Sequence, residues 1–218
     1  LAFDELLRVQ VELVRRKREL ERTAVGYAHA VGDGGGPLVR AFHDALPYAL
    51  TGAQSRAIDE IVVDLAKGHP MHRLLQGDVG SGKTVVAASA MLVAVQGGHQ
   101  AALMAPTEVL AEQHHLGLTH LLAGFTVPDG EAGSLFGEAG VERDLRVVLL
   151  TNRTPAAERR RILADMADGN VDLVVGTHAL ISEGIEFRSL GVVVIDEQHR
   201  FGVEQRAALR DKLSLIHI

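Results

Sequence analysis

Apolar residues along the chain follow two patterns that alternate, short continuous runs and longer stretches with helical character. Continuous runs, which are typical of strands buried on both faces, occupy residues 100–105, 146–150, 171–176 and 190–195. Helix-forming stretches lie before and between them, at residues 46–65, 85–96, 108–118 and 156–166. Because strands and helices alternate, the pattern predicts an α/β fold with a mostly parallel sheet flanked by helices.

The amino-terminal stretch has a different character. In residues 1–22 apolar side chains recur at helical spacing, which predicts an amphipathic helix, and a basic run at 15–18 overlaps its second half. A solvated face is the more frequent meaning of such a run, and contact with a nucleic-acid backbone is the alternative. The glycine-rich stretch 31–37 marks a domain or linker junction. We therefore predict a helical arm or linker at 1–45, a lobe at 46–212 and a truncated or non-native tail at 213–218.

Composition narrows the class of protein. Of the 218 residues 47% are hydrophobic but only 4% are aromatic, which suits α/β layers better than an aromatic-rich sandwich. The chain has no cysteine, so it has neither disulfides nor thiolate metal sites. No apolar run approaches the roughly 20 residues that cross a bilayer, and we expect a cytoplasmic protein without membrane contact. The net charge of −6 argues against a wholly basic surface but still allows a local groove for nucleic acid.

The stretch 72–84, HRLLQGDVGSGKT, carries the first chemistry. It predicts a strand, a glycine-rich loop and a helix, and it fits the pattern G-x4-G-K-[ST]. In such loops backbone amides and a helix N-terminus cradle phosphates, the lysine reaches the β and γ oxygens, and the hydroxyl meets Mg²⁺. A plain glycine-rich turn would explain the small residues but not Gly-Lys-Thr at the start of a helix. The predicted nucleotide-binding residues here are Gly77, Asp78, Val79, Gly80, Ser81, Gly82, Lys83 and Thr84.

A glutamine upstream of this loop has two possible uses. Thr51 and Gln54 have the spacing of the capping box T-x-x-Q at a helix start. The paired donor and acceptor of a glutamine amide also suit the edge of a purine such as adenine. Capping is the better interpretation when the pair is considered alone. Because Gln54 lies just before a phosphate loop, adenine recognition becomes about as well supported as capping.

The last apolar run, 190–195, ends in two acidic residues, Asp196 and Glu197. A strand-end aspartate can hold Mg²⁺ through water, and an adjacent glutamate can orient and deprotonate water that attacks a γ-phosphate. A pair of surface carboxylates is the alternative, which the upstream phosphate loop disfavours. The adjacent His114 and His115 do not predict a zinc site, because neighbours on a helix point to different faces.

Together these segments resemble the superfamily 2 helicases. The segment DEQHRFGVEQR at 196–206 narrows the resemblance to the bacterial branched-DNA helicases of the RecG family. The resemblance covers about residues 46–212, and further matching segments are LTGAQSRAIDEI, GDVGSGKT, APTEVLAEQHH and VVGTHALI. It implies a RecA-like lobe that binds ATP and Mg²⁺ and drives movement along duplex DNA, with remodelling of forks or junctions in repair and recombination.

The resemblance also implies roles for single residues. Asp196 would organise Mg²⁺, Glu197 would serve hydrolysis, and Gln54 would contact adenine. His199 would couple hydrolysis to DNA movement. The residues that would contact the DNA backbone are Thr107, Thr177 and His178. In the family a second RecA-like lobe supplies arginines to the phosphates and a wedge domain meets branched DNA. We expect neither in this chain, and therefore little or no turnover by the chain alone.

Some features depart from the family pattern. Residues 151–153, Thr-Asn-Arg, stand where the family often has a Thr-Gly-Ser type of turn, and 127–144 form an acidic, glycine-rich loop insertion. The end LSLIHI does not resemble the family's continuation. The motor lobe of the transcription-repair coupling factor is the nearest alternative, although Gln198, Gln205 and Arg206 favour RecG. A nucleotide-binding module without turnover is the alternative from another class.

Overall fold

A computed structural model describes residues 2–23, 26–29, 31–128, 142–182, 184–197 and 214–217. The strands are β1 (His72–Leu74), β2 (Gln100–Met104), β3 (Thr126–Pro128), β4 (Glu142–Asp144), β5 (Val147–Leu150), β6 (Leu173–Gly176), β7 (Leu190–Ile195) and β8 (Ser214–His217). The α-helices are α1 (Ala2–Thr23), α2 (Pro37–Ala45), α3 (Gly52–Leu65), α4 (Lys83–Gln96), α5 (Glu108–Leu121) and α6 (Ala156–Asp168). Short 3₁₀ helices span Asp33–Gly35 and His178–Ile181.

Six of the strands form one sheet in the order β1-β8-β7-β2-β6-β5. Every pairing within this sheet is parallel, so the predicted α/β class with a parallel sheet is confirmed. The order is not the chain order, and within the described residues the helices α4, α5 and α6 each cross from one strand of this sheet to the next along the chain. The central strands are buried on both faces, which explains their unbroken apolar sequences.

Two hydrophobic clusters cover the two faces of the sheet. Alternate residues of a strand point to opposite faces, so Leu103 joins one cluster and Met104 the other. The first cluster contains residues of α2, α3, α4 and α5, and the second contains residues of α6 and the short helix His178–Ile181. The helix α4 is buried from Val85 to Val95, because it lies between the sheet and the helices α2 and α3.

The helix α2 packs inside the lobe, although we placed it in the arm. Val39 and Phe42 are almost completely buried in the first cluster. The amide of Leu38 donates to Gln96 Oε1 at 2.9 Å, and a ring nitrogen of His43 lies 2.8 Å from Ser89 Oγ. The arm at 1–45 stays a prediction as a domain, but its last nine residues share the core of the lobe.

The predicted loop insertion at 127–144 is wrong at its two ends. Thr126–Pro128 and Glu142–Asp144 pair as antiparallel strands, while residues 129–141 lie outside the described part. In the tail, Ser214–His217 form β8 between β1 and β7, and the truncated or non-native origin of the tail stays a prediction. The amphipathic helix predicted at 1–22 is present as α1, where Leu6 and Val9 are more than half exposed. Within the described residues, none of the helices combines the length and apolar character that crossing a membrane requires.

Candidate functional site

The candidate residues lie at one edge of the sheet, which we call the carboxyl edge because the parallel strands end there. The phosphate loop follows β1, and Asp196 and Glu197 follow β7. A single strand, β8, separates β1 from β7, so the two strand ends are roughly 10 Å apart. Open α/β sheets bind their ligands at this edge. The sheet order therefore brings together the two halves of the predicted site.

The loop between β1 and α4 requires glycine at particular points. Gly80 and Gly82 have φ of 80° and 77°, which disfavour a side chain. Gly82 is the N-cap of α4, and a Cβ there would lie only 2.3 Å from Gln54 Nε2. At Gly77 a Cβ would lie 2.7 Å from Ser81 Oγ. The loop is exposed from Gly77 to Ser81, so a ligand can reach its backbone amides.

Lys83 folds back over its own loop. Its ammonium group donates to the carbonyl oxygens of Gly77 at 2.8 Å and Asp78 at 2.9 Å. Three donors on an ammonium group allow both bonds together, and a phosphate oxygen with its negative charge is a stronger acceptor than either carbonyl. This arrangement keeps the cation over the loop that would receive phosphates.

Gln54 has both neighbours that its two interpretations require. Its backbone N–H donates to Thr51 Oγ1 at 3.3 Å, and its Oε1 accepts from the Thr51 N–H at 2.8 Å, so the predicted capping box is confirmed. Its Nε2 donates to the carbonyl of Ser81 at 2.9 Å. The cap of α3 is therefore joined directly to the phosphate loop. The contact with adenine stays a prediction.

The two carboxylates differ in backbone conformation. The amide of Asp196 continues the sheet by donating to the carbonyl of Met104 at 2.8 Å. Glu197 has φ of 53°, which makes it the one non-glycine residue with positive φ in the described part of the chain. Such a conformation costs on the order of 1–3 kcal/mol and concentrates at functional sites. The turn after β7 therefore aims Glu197 differently from a continuing strand.

Asp196 has a partner that the sequence did not indicate. His114 Nε2 lies 2.7 Å from Asp196 Oδ2, and both side chains are about four-fifths buried. The two residues are 82 positions apart in the chain. The only sequence signal was the histidine pair at 114 and 115, which we considered solely as a zinc site. His115 instead lines a groove beside β5 and α6 together with Glu112.

The oxygen donors at this edge fit a magnesium ion. Mg²⁺ prefers hard oxygen ligands and is usually held through one or two carboxylates, water and substrate phosphates. Thr84 offers a hydroxyl at the start of α4, and Asp196 offers a carboxylate at the end of β7. These residue types suit Mg²⁺. The presence of the ion at this site stays a prediction.

The predicted DNA-contacting residues follow neighbouring strands on the other side of β7. Thr107 follows β2, and Thr177 and His178 follow β6. Residues 151–153, which depart from the family pattern, follow β5. The strands β2, β6 and β5 are consecutive in the sheet. Thr107 is exposed and its hydroxyl caps α5 by accepting from Leu110 at 3.3 Å. The sheet order thus runs from the phosphate loop through the carboxylates to this row of strand ends.

The residues of that row differ in what they expose. Thr177 is 3% exposed, and its hydroxyl accepts from the amide of Ala179 at 3.5 Å, whereas His178 is exposed. Arg153 is largely exposed and pairs with Glu108 at 2.7 Å. The side chains of His178 and Arg153 are therefore accessible to a ligand at this surface, whereas that of Thr177 is buried. The predicted coupling residue His199 lies outside the described residues, as do Gln198, Gln205 and Arg206.

Comparisons with known proteins agree with this arrangement. The family model described as DEAD/DEAH box helicase matches residues 51–217. The ATP-dependent DNA helicase RecG of Synechocystis is 46% identical over 221 residues, which cover 100% of this chain and 24% of that protein. RecG of Streptococcus pneumoniae is 45% identical over 97% of this chain and 28% of its own length. The chain thus spans about a quarter of these curated relatives.

A solved structure is similar as well. The structure of RecG bound to a three-way DNA junction has a TM-score of 0.78 and 36% sequence identity, covering 99% of this chain and 26% of that one. The similarity extends through the sheet and the helices that carry the candidate residues, because nearly the whole chain is superposed.

Proposed function

Since this chain belongs to the DEAD/DEAH box helicase family and its resemblance to RecG helicases is confirmed, we propose that it is the ATP-binding lobe of a RecG-type motor. In this role, ATP hydrolysis drives movement along duplex DNA and remodels forks or junctions. The observation that carries the proposal is the phosphate loop and the Asp196–Glu197 pair at the same edge of one parallel sheet. Each half supplies a group that the chemistry of phosphate hydrolysis requires.

The loop residues bind the phosphates of ATP in this proposal. Backbone amides from Gly77 to Thr84 and the N-terminus of α4 receive the phosphate oxygens. Lys83 exchanges its two carbonyl acceptors for β and γ oxygens, where its charge stabilises the negative charge that develops during transfer. Gln54 contacts adenine while its amide is held by the capping box. The loop therefore provides binding and orientation.

The carboxylates act next to the phosphates. Thr84 and Asp196 would hold Mg²⁺, which would supply positive charge against the negative charge of the phosphates. Glu197 orients the attacking water and accepts its proton. Its positive φ directs the side chain away from the line of β7, so the two adjacent carboxylates can serve different atoms. Thr107, His178 and Arg153 contact the DNA backbone without reading sequence.

We infer DNA as the partner from the family and from the row of strand ends after β2, β6 and β5, where Thr107 and Thr177 cap the helices that follow. Hydroxyls, amides and helix N-termini bind phosphates without a net positive surface, so an acidic chain can still bind DNA. The relative whose structure holds a three-way junction supports a branched duplex as the substrate. In the proposed motor, a second RecA-like lobe completes the nucleotide interface, and the lobe alone turns over ATP slowly.

Replacing Lys83 by alanine tests the nucleotide proposal directly. Charge-assisted hydrogen bonds contribute about 1.5–3 kcal/mol, so we expect Lys83→Ala to weaken binding of a non-hydrolysable ATP analogue with Mg²⁺ by roughly 10- to 150-fold. Isothermal titration calorimetry measures this change. Lys67→Ala is the matched control, because Lys67 is half-exposed and pairs with Asp64 away from the loop. Equal affinity in Lys83→Ala and wild type would remove the basis of the proposal.

A further inference from the structure

The hydrogen bond between His114 and Asp196 has no role in the function proposed so far. His114 lies about two turns into α5, the helix that begins at the cap Thr107. Its Nε2 is 2.7 Å from Asp196 Oδ2, and the two side chains are 20% and 17% exposed. A helix of the first hydrophobic cluster thus reaches directly to the carboxylate that ends β7.

The chemistry of this pair fixes the direction of the bond. An ionised carboxylate only accepts, so Nε2 of His114 carries a hydrogen and donates it to Oδ2. The terminal torsion of an aspartate is broad and restrains its carboxylate weakly. A short bond to a partly buried imidazole selects one orientation. It engages one oxygen of Asp196 and leaves the other as a further acceptor.

Packing alone does not explain why a histidine occupies this position. The helix α5 is already anchored to the sheet by Ala111 and Leu118, both fully buried. The ring nitrogen of His114 instead contacts the carboxylate at the end of β7. His115, the next residue, has a different environment in the groove beside β5. The position of His114 is therefore specific to the carboxylate.

We propose that His114 is a positioning residue that holds Asp196 in the orientation needed for Mg²⁺ with bound nucleotide. The inference rests on the proposed function, because Asp196 is the predicted carboxylate of the magnesium site. Partners behind a metal-binding carboxylate commonly change metal affinity by roughly 10- to 100-fold when they are removed. His114 would act in the same way through its bond to Oδ2.

The test measures how much Mg²⁺ strengthens binding of a non-hydrolysable ATP analogue, as the ratio of affinities with and without the ion. The 218-residue chain is titrated by calorimetry as wild type, Asp196→Asn, His114→Ala, His114→Gln and His115→Ala. We expect His114→Ala to lower the Mg²⁺-dependent ratio by about 10-fold or more, with the affinity without Mg²⁺ unchanged. His114→Gln should restore part of the ratio, because its amide donates from nearly the same position as Nε2. His115→Ala should match wild type.

The variants separate failure of this inference from failure of the proposed function. If Asp196→Asn keeps the wild-type ratio, the assignment of Asp196 to Mg²⁺ is wrong, and the inference falls with it. If Asp196→Asn lowers the ratio of affinities with and without Mg²⁺ while His114→Ala keeps the wild-type ratio, only the role of His114 is overturned. An equal loss of affinity with and without Mg²⁺ in His114→Ala would assign the residue to the fold, which also overturns the inference. Thermal unfolding of each variant accompanies the titrations.

Discussion

The two edges of the central sheet treat their polar groups in opposite ways. At the carboxyl edge, the phosphate loop is exposed. Lys83 and Gln54 donate to loop carbonyls there, and the acceptor atoms of a ligand can replace those carbonyls. At the opposite edge, where the strands begin, Gln100 is only 4% exposed and its side chain makes three hydrogen bonds to backbone groups. Polar groups are thus available for binding at one edge and committed to the fold at the other.

The amino edge is closed by a segment from before the lobe. The amides of Gly26 and His29 donate to the carbonyls of Gly68 at 3.1 Å and Leu65 at 3.0 Å, which attaches this segment to the end of α3. His29 is 3% exposed and contacts His99 edge to face, with ring centroids 4.9 Å apart. The ring of Tyr27 also packs on His99, with centroids 4.5 Å apart and the planes tilted by 40°. A Cβ at Gly191 would lie 2.6 Å from His29 Cε1 and 2.9 Å from His99 Cβ, so these two histidines pack closely against the start of β7.

The contrast indicates that substitutions at the two edges should have separable effects. A buried polar group left without its partner costs stability, because its hydrogen bond to water cannot be recovered. Replacing an exposed group that binds a ligand changes the stability of the free protein little and lowers the affinity for the ligand more. Changes at the amino edge should therefore lower stability, and changes at the carboxyl edge should lower nucleotide affinity.

The largest effect is expected from Gln100→Leu at the amino edge. It would leave the carbonyl of Val171 and the amide of Ser189 without their partner, while the carbonyl of Met166 would keep the amides of Gly169 and Arg188 as donors. At about 1–3 kcal/mol for each of these two unsatisfied groups, we expect the free energy of unfolding to fall by roughly 2–6 kcal/mol. Urea denaturation measures this change, with Gln10→Leu on the exposed side of α1 as the control. A loss below about 1 kcal/mol would contradict the contrast between the edges.

A smaller effect is expected from acid, again at the amino edge. The pKa of His29 is lowered from 6.5 to about 4, chiefly by burial and then by the nearby His99, and contact with the Gly191 backbone offsets part of this lowering. Neither ring nitrogen of His29 has a hydrogen bond of good geometry within the described part of the chain. The unfolded chain therefore binds a proton between pH 6.5 and about 4 that the folded chain does not.

This pKa difference fixes the sign of the pH dependence. Both states carry a neutral His29 above pH 6.5, so its contribution is constant there, and stability falls as the pH is lowered toward about 4. The loss from this residue should be on the order of 2–3 kcal/mol. His29→Leu should flatten the curve of unfolding free energy against pH by this amount, whereas the exposed His120→Leu should leave it unchanged. Parallel curves for His29→Leu and wild type would be the contrary result.

The smallest effect on stability is expected at the carboxyl edge, where Gln54 belongs to both a cap and the loop. Gln54→Ala removes the capping box and should lower the free energy of unfolding by about 1 kcal/mol. Gln54→Glu keeps an acceptor for the Thr51 amide and should retain that stability. Both variants lose the donor to Ser81, so both should bind an ATP analogue more weakly. Wild-type affinity in Gln54→Glu would mean that capping is the only use of this residue.

Much of the site could be predicted because its signals are local. The loop pattern, the capping box and the acidic pair each lie within a few consecutive residues, where short-range geometry fixes the spacing of donors and acceptors. The errors arose where contacts are distant. The burial of α2 depends on α4, and the strands at the ends of 127–144 depend on their pairing with each other.

The sequence by itself determined the alternation of strands and helices, the phosphate loop and the type of each candidate residue. Only the tertiary structure decided which strand ends are neighbours. It placed the phosphate loop, the carboxylates and the row of strand ends after β2, β6 and β5 in that order along one edge. It also decided that His114 meets Asp196 and that Gln54 meets Ser81. The physical reason is that hydrophobic periodicity assigns residues to faces but leaves the lateral order of strands open, which the packing of the crossover helices then fixes.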